Sequence, residues 1–132
     1  MQKGVKMLAE AFGKYIRMSP KKARLVTDLL KGKNLEEADF ILDNINKGAA
    51  PKIQKVVRSA FANANNGRQD KLTMKQVYIS TIRVDGGPYY MRYRAATMGR
   101  ATPIRHRTSH VHVVLDEVSA VNKDQKTNQG VK

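Results

Sequence analysis

From Gly86 the chain reads Gly86-Gly87-Pro88, Tyr89-Tyr90-Met91-Arg92-Tyr93-Arg94, Ala95-Ala96-Thr97-Met98-Gly99-Arg100-Ala101 and, after Thr102-Pro103, Ile104-Arg105-His106-Arg107. About two dozen residues separate two strand-like segments here, far more than a usual hairpin loop. Their content is unlike a linker's, because strand-forming residues lie on both sides of Met98-Gly99-Arg100-Ala101. The stretch predicts an extended two-stranded arm at about residues 86–109, with its tip near Gly99. Roughly ten residues per strand, at about 3.3 Å each, project on the order of 30 Å. Such a ribbon has no core of its own, and isolated hairpins are marginal in water. It needs a partner to hold it.

Working outward, Val77 to Asp85 is rich in Val, Ile, Tyr and Thr and reads as a strand. On the other side Val111, Val113 and Leu115 alternate with His110, His112 and Val114, the pattern of a strand with one buried face. The N-terminal half is helical. Ser19-Pro20 predicts an N-cap followed by proline at the first helical position. Ala23, Val26 and Leu29/Leu30 form the apolar stripe of that helix, and Gly32 is its stop. A second helix starts at Asn34, with Glu37 completing a capping box, and carries Leu35, Ala38, Ile41, Leu42 and Ile45. The third has Ile53, Val56, Val57, Ala60, Phe61 and Ala64 at helical spacing, Pro51 in its first turn and Asn65-Asn66-Gly67 at its end. Met7 to Arg17 reads as a further strand. Residues 1–118 form one domain, since 132 residues leave no room for a second, and the polar tail 119–132 is expected to be disordered.

Charge narrows the function classes. The chain has 25 Lys+Arg against 11 Asp+Glu, a formal charge of +14, and a pI near 10.3. A globule so charged repels itself, so a large anion is the expected partner, with nucleic acid ahead of an acidic membrane. Without Cys there is no disulfide scaffold, thiolate zinc site or thiol nucleophile. No apolar run reaches the length of a membrane span, and Met1-Gln2-Lys3-Gly4-Val5-Lys6 lacks the apolar core of a signal peptide. The expectation is a soluble, intracellular, nucleic-acid-binding domain.

The cations are also unevenly placed. From Ala11 to Thr27 the charged residues are Lys14, Arg17, Lys21, Lys22 and Arg24, with no acid. From Gly86 to Leu115 they are Arg92, Arg94, Arg100, Arg105 and Arg107, with His106, His110 and His112 and again no acid. Glu36, Glu37, Asp39 and Asp43 sit together between Asn34 and Asn46 without a Lys or Arg. The pattern predicts one side facing RNA or DNA and one segment turned away from it.

Lys21 and Lys22 fall in the first turn of a helix, where the dipole already disfavours cations unless an anion is bound. Free N–H groups, dipole and two ammonium groups together suit a phosphate. The alternative is an exposed pair tolerating a few tenths of a kcal/mol of repulsion. Ser19 to Lys22 also matches the Ser-x-x-Lys of serine acyl-enzymes, but the companion motifs are absent, which rejects a small hydrolase built on that pair. Along the arm, Arg can bridge phosphates and stack on bases, and Tyr89, Tyr90 and Tyr93 can stack on unpaired bases. Structural RNA offers both. His110 and His112 share a strand face, yet no carboxylate lies near in sequence before Asp116, which argues against a metal site. Asp85 and Glu117 are strand-end acids without an evident partner. No cofactor motif and no catalytic constellation is present.

The run Tyr15-Ile16-Arg17-Met18-Ser19-Pro20-Lys21-Lys22-Ala23-Arg24-Leu25-Val26 resembles the opening of a universal large-subunit ribosomal protein family, the L-twenty-two family of bacterial type. Lys55 to Ala64, Gly86-Gly87-Pro88, Gly99-Arg100-Ala101 and Arg107-Thr108-Ser109-His110-Val111 agree in order and spacing, over about Phe12 to Glu117. The resemblance implies an α+β fold, three helices packed on a small antiparallel sheet with a long protruding β-hairpin. It implies a structural, non-catalytic role: binding large-subunit ribosomal RNA, supporting assembly and lining the nascent-peptide exit tunnel with the hairpin tip. Implied partners are ribosomal RNA, neighbouring ribosomal proteins and the nascent polypeptide, with no membrane, in the cytoplasm or in an organellar ribosome. Carried over by position, Lys14, Arg17, Lys21, Lys22, Arg24, Arg92, Arg94, Arg100, Arg105, His106 and Arg107 contact RNA. Tyr90, Met91, Arg92, Met98, Gly99 and Arg100 lie at the tunnel wall. The arm departs from the family pattern in Arg94-Ala95-Ala96-Thr97, Met98 and Pro103, which leave it less basic than is usual. The alternative is a free regulatory protein acting on DNA or messenger RNA.

Overall fold

The sheet owes its shape to where its strands lie in the chain. In the computed structural model, which describes residues 8–117, the order is β1 (Ala9–Ile16), α1 (Pro20–Thr27), α2 (Leu35–Asn44), α3 (Ala50–Asn65), a 3-10 turn (Met74–Gln76), β2 (Val77–Gly86), β3 (Tyr90–Ala95), β4 (Ala101–His106) and β5 (Ser109–Glu117). The expected tail at 119–132 lies outside these residues, as does Met7. β2 and β5 form an antiparallel pair whose connection is itself the β3–β4 hairpin, and β1 joins the far edge of β5. The fold is α+β, as the resemblance implied.

Alternation along β5 buries Val111, Val113 and Leu115. β2 buries Val77 and Ile79 and then Ile82 and Val84, changing from odd to even positions. A bulge between Ile79 and Thr81 inserts the extra residue that resets the face. The helices cover the buried side. α3 supplies Ile53, Val56, Val57, Ala60 and Ala64, α1 supplies Ala23 and Val26, and α2 supplies Leu35, Ala38 and Leu42. These join the strand residues in one continuous core.

Local expectations need three corrections. The first helix ends at Thr27, before the Leu29-Leu30 pair, so Leu30 is buried while Leu29 is 46% exposed. Its last expected turn is drawn instead toward β2: Gly32 N–H donates to Ile79 C=O (3.1 Å) and Ile79 N–H donates to Lys33 C=O (2.9 Å). Gly32 takes the left-handed φ of +74° that this exit requires. The capping box of α2 is half formed, with Glu37 N–H donating to the Asn34 side chain at 2.8 Å. A reciprocal box forms at Thr73 and Gln76 instead, opening a 3-10 turn that periodicity does not announce. The arm's ladder holds six residues per strand rather than about ten, because pairing is interrupted at its root between Gly86 and Tyr90. Its regular part spans about 20 Å, against the expected 30 Å or so.

Leu115 is fully buried at the centre of the sheet, between Ala9 and Ile79. Leu115→Ala is expected to cost about 3 kcal/mol and to lower the melting temperature by roughly 10–15 °C. Leu25→Ala, at a residue 59% exposed, is the matched control and should change stability by less than about 0.5 kcal/mol. Equal effects in thermal melts would show that the core is assigned wrongly.

Candidate nucleic-acid interface

α1 begins without a side-chain cap. Ser19 has the extended N-cap backbone (φ −70°, ψ 132°), but its hydroxyl makes no capping hydrogen bond. The first helical bond is Ala23 N–H to Ser19 C=O at 3.0 Å, so the amides of Lys21 and Lys22 precede the ladder. Both side chains are exposed and no acid shares the turn. The terminus is therefore a concentration of positive potential with free donors. Arg24 is exposed as well, although one guanidinium N–H is spent on Val84 C=O (3.2 Å), tying α1 to β2.

The second acid-free block converges on the same corner. Ser109 Oγ donates to Met18 C=O at 2.7 Å in a buried contact that pins the start of β5 beneath Ser19. Thr108 Oγ1 donates to Pro88 C=O, and Gly87 N–H donates to Thr108 C=O at 2.9 Å, closing the root of the arm. A Cβ on Gly87 would stand 2.5 Å from Thr108 Oγ1 and 3.1 Å from His110 Nε2, so only glycine fits. The Arg17 guanidinium lies over the Tyr90 ring (5.5 Å to its centroid), and Arg105 lies over Tyr89 (5.0 Å). Thr108 and Ser109, the buried hydroxyls that organise this junction, were visible in sequence only as part of a motif. Their isolation between a basic and an apolar run was the available signal.

Cross-strand register gives the arm two faces. Tyr90, Arg92 and Arg94 share one with Thr102, Ile104 and His106, and Met91, Tyr93 and Ala95 share the other with Ala101, Pro103 and Arg105. Met91 is thus across the ribbon from Tyr90 and Arg92. The residues of the expected tunnel group are also split along the length. Tyr90 is at the root, five residues and about 17 Å from the end of the ladder at Ala95. At the tip Met98 (φ 62°, ψ 37°) and Gly99 (φ +70°) are left-handed, and Ala96 N–H donates to Arg100 C=O at 2.8 Å. Met98 is 97% exposed.

Two expectations about acids are corrected. His112 does have a carboxylate beside it: cross-strand pairing brings Glu10 Oε2 to 2.9 Å from its Nε2. Asp85 is held by Arg83 at 3.2 Å. Among the described residues no group of three or more His, Asp or Glu side chains is arranged to hold a metal ion. The acids of α2 are partly spent on α3, where the Gln54 amide donates to Asp39 (2.9 Å) and Asp43 (2.7 Å) and Arg58 pairs with Asp39 at 3.3 Å. At the end of the sheet away from the arm, burial pushes the Tyr78 phenol above its usual pKa, and the adjacent Asp116 carboxylate pushes it further. Asp116 lies at that far end of the sheet, and Asn34, at the start of the acidic α2, bridges to Tyr78 there.

A cationic α+β domain whose basic segments converge at the root of an exposed ribbon defines a class, that of small basic proteins carrying a projecting arm. Residues 11–116 match the family described as Ribosomal protein L22p/L17e, and the chain belongs to that family of large-subunit ribosomal proteins. It is 48% identical over 111 residues to the large ribosomal subunit protein uL22 of Desulfotalea psychrophila, covering 84% of this chain and 99% of that protein. The uL22 of Clostridioides difficile is 47% identical over 84% of this chain and 98% of its own length. That of Myxococcus xanthus is 41% identical, with 84% and 97% covered. No helix among the described residues is long and apolar enough to cross a membrane.

Proposed function

We propose that this chain is a structural constituent of a bacterial-type large subunit that binds large-subunit ribosomal RNA, supports its assembly and lines the nascent-peptide exit tunnel with its arm tip. The observation that carries this is the meeting of the two acid-free blocks, which are separate in sequence, at the Ser19–Met18–Ser109 corner. Lys14, Arg17, Lys21, Lys22 and Arg24 then face RNA from the body, while Arg92, Arg94, Arg100, Arg105, His106 and Arg107 face it from the arm and its root. Met98, Gly99 and Arg100 reach the tunnel wall. Tyr90, Met91 and Arg92 contribute from nearer the root, about 10–17 Å back from the end of the ladder, at a different depth. RNA supplies what the ribbon lacks: counter-charge for its arginines and surfaces against which to order. The acidic face of α2 is left for neighbouring ribosomal proteins.

Sedimentation tests residence. The protein is expected to co-migrate with large subunits through a high-salt wash; recovery only as a free species would overturn the proposal and favour a free regulator. A photo-crosslinker at Arg100 is expected to capture ribosomal RNA or a nascent chain in translating ribosomes. Capture of neither would remove the tunnel assignment.

A further inference from the structure

β1 is irregular where it should be simplest. Between Gly13 and Ile16 its register against β5 shifts, and Tyr15 sits at φ 57°, in the left-handed region that a bulky L-residue avoids. Gly13 allows the irregularity, since a Cβ there would stand 2.6 Å from Val56 Cγ2 and 2.7 Å from Ile16 Cδ1. The consequence is that Lys14 and Tyr15, consecutive in the strand, are both exposed while Ile16 packs against the core. The left-handed residue thus turns an aromatic ring outward, where it remains 59% exposed and stands perpendicular to the His110 ring, centroids 4.8 Å apart. The Tyr15 N–H donates to His110 Nδ1 at 3.1 Å, holding both residues in place.

One row along, Phe12, His112 and Arg83 are aligned across β1, β5 and β2. The Phe12 and His112 rings are stacked, with centroids 4.2 Å apart and planes within 3°, yet Phe12 is 56% exposed. Lys14 Nζ hangs 5.9 Å from the Phe12 centroid and has no carboxylate partner among the described residues. The acids of this face are already engaged, Glu10 by His112 and Asp85 by Arg83. Phe12, Lys14, Tyr15, Arg83, His112 and the Arg83-paired Asp85 border a shallow recess of about 310 Å³, at the small end for a ligand site and of a size for a single base.

We infer that this outer face of the β1–β5–β2 sheet is a second RNA contact, in which an unpaired base stacks on the exposed Tyr15 and Phe12 rings and its phosphate meets Lys14. This rests on the proposal that the chain binds ribosomal RNA and adds a stacking site to the phosphate contacts already named. A core function does not account for the rings, because they are exposed, and a helix-covering function does not, because all three helices lie on the opposite face. Base stacking uses the aromatic faces, and the neighbouring ammonium supplies the counter-charge.

The test uses the full chain and a transcript of large-subunit ribosomal RNA, with binding titrated over a range of salt. Tyr15→Gly removes the ring and relieves the left-handed strain, so it should melt no lower than the parent while binding roughly tenfold more weakly. Phe12→Leu, which keeps apolar volume, should also weaken binding about tenfold, and Tyr15→Phe should bind as the parent does. The salt slope should be unchanged in all three, because no phosphate contact is removed. Parent-like affinity in both Tyr15→Gly and Phe12→Leu overturns the stacking site, including where the same variants lose a protein neighbour. Failure of the parent itself to bind the transcript would instead overturn the RNA-binding proposal.

Discussion

Lys21→Glu combined with Lys22→Glu is expected to weaken binding to large-subunit RNA on the order of a hundredfold at 0.1 M salt, and to flatten the salt dependence by about 1.5 in logarithmic slope. Each phosphate neutralised contributes about 0.7–0.9 to that slope through released counterions, so two lost contacts set the size of the change. Stability should move the other way. Lysines in the first turn oppose the helix dipole, and glutamates there favour it, so the doubly substituted protein should melt at or slightly above the parent's temperature. Ser19 makes no side-chain capping bond, so the substitution leaves the capping arrangement intact. An unchanged slope would remove the phosphate site at α1, whatever happened to affinity.

Excising Tyr89–Arg105 and joining Pro88 to His106 through a short turn should leave a folded domain with lower RNA affinity. The strands of the arm pair only with each other, and residues Tyr90 to Arg105 are exposed throughout. The excision spares Ser109, Thr108 and Gly87, which close the root. A melting temperature within a few degrees of the parent's is therefore expected. Removing Arg92, Arg94, Arg100 and Arg105 should lower affinity up to about a thousandfold at 0.1 M salt and reduce the logarithmic slope by roughly 3. Residual specific binding by the body should survive. Loss of cooperative unfolding on excision would show that the arm belongs to the core after all.

These two variants divide the interface between elements that differ in how readable they were. The N-terminus of α1 is local chemistry, with Ser19, Pro20, Lys21 and Lys22 consecutive in the chain. The arm is legible from its composition and from the turn near Gly99, but its ladder is shorter than composition predicts, since the break at Gly87–Tyr89 depends on Thr108 across the ribbon. α1 ends a turn earlier than its apolar spacing predicts for a similar reason. Helical periodicity continues through Leu30, but the backbone at Gly32 and Lys33 is captured by Ile79, some fifty residues away. In the same way the Glu10–His112 pair could not be anticipated from spacing along either strand.

The sequence by itself determined the three helices, the alternating β5, the existence of the arm and the sorting of charge into basic and acidic blocks. All are written in neighbours a few residues apart, where spacing reports burial and composition reports solvation. The tertiary structure alone decided how the blocks combine. It set Ser109 under Met18, Arg17 over Tyr90 and the bulged Tyr15 beside His110, a partner 95 residues distant. Those contacts depend on strand order, register and the position of two bulges. A single strand's pattern does not encode them, because a shift of one residue in pairing exchanges the buried and exposed faces.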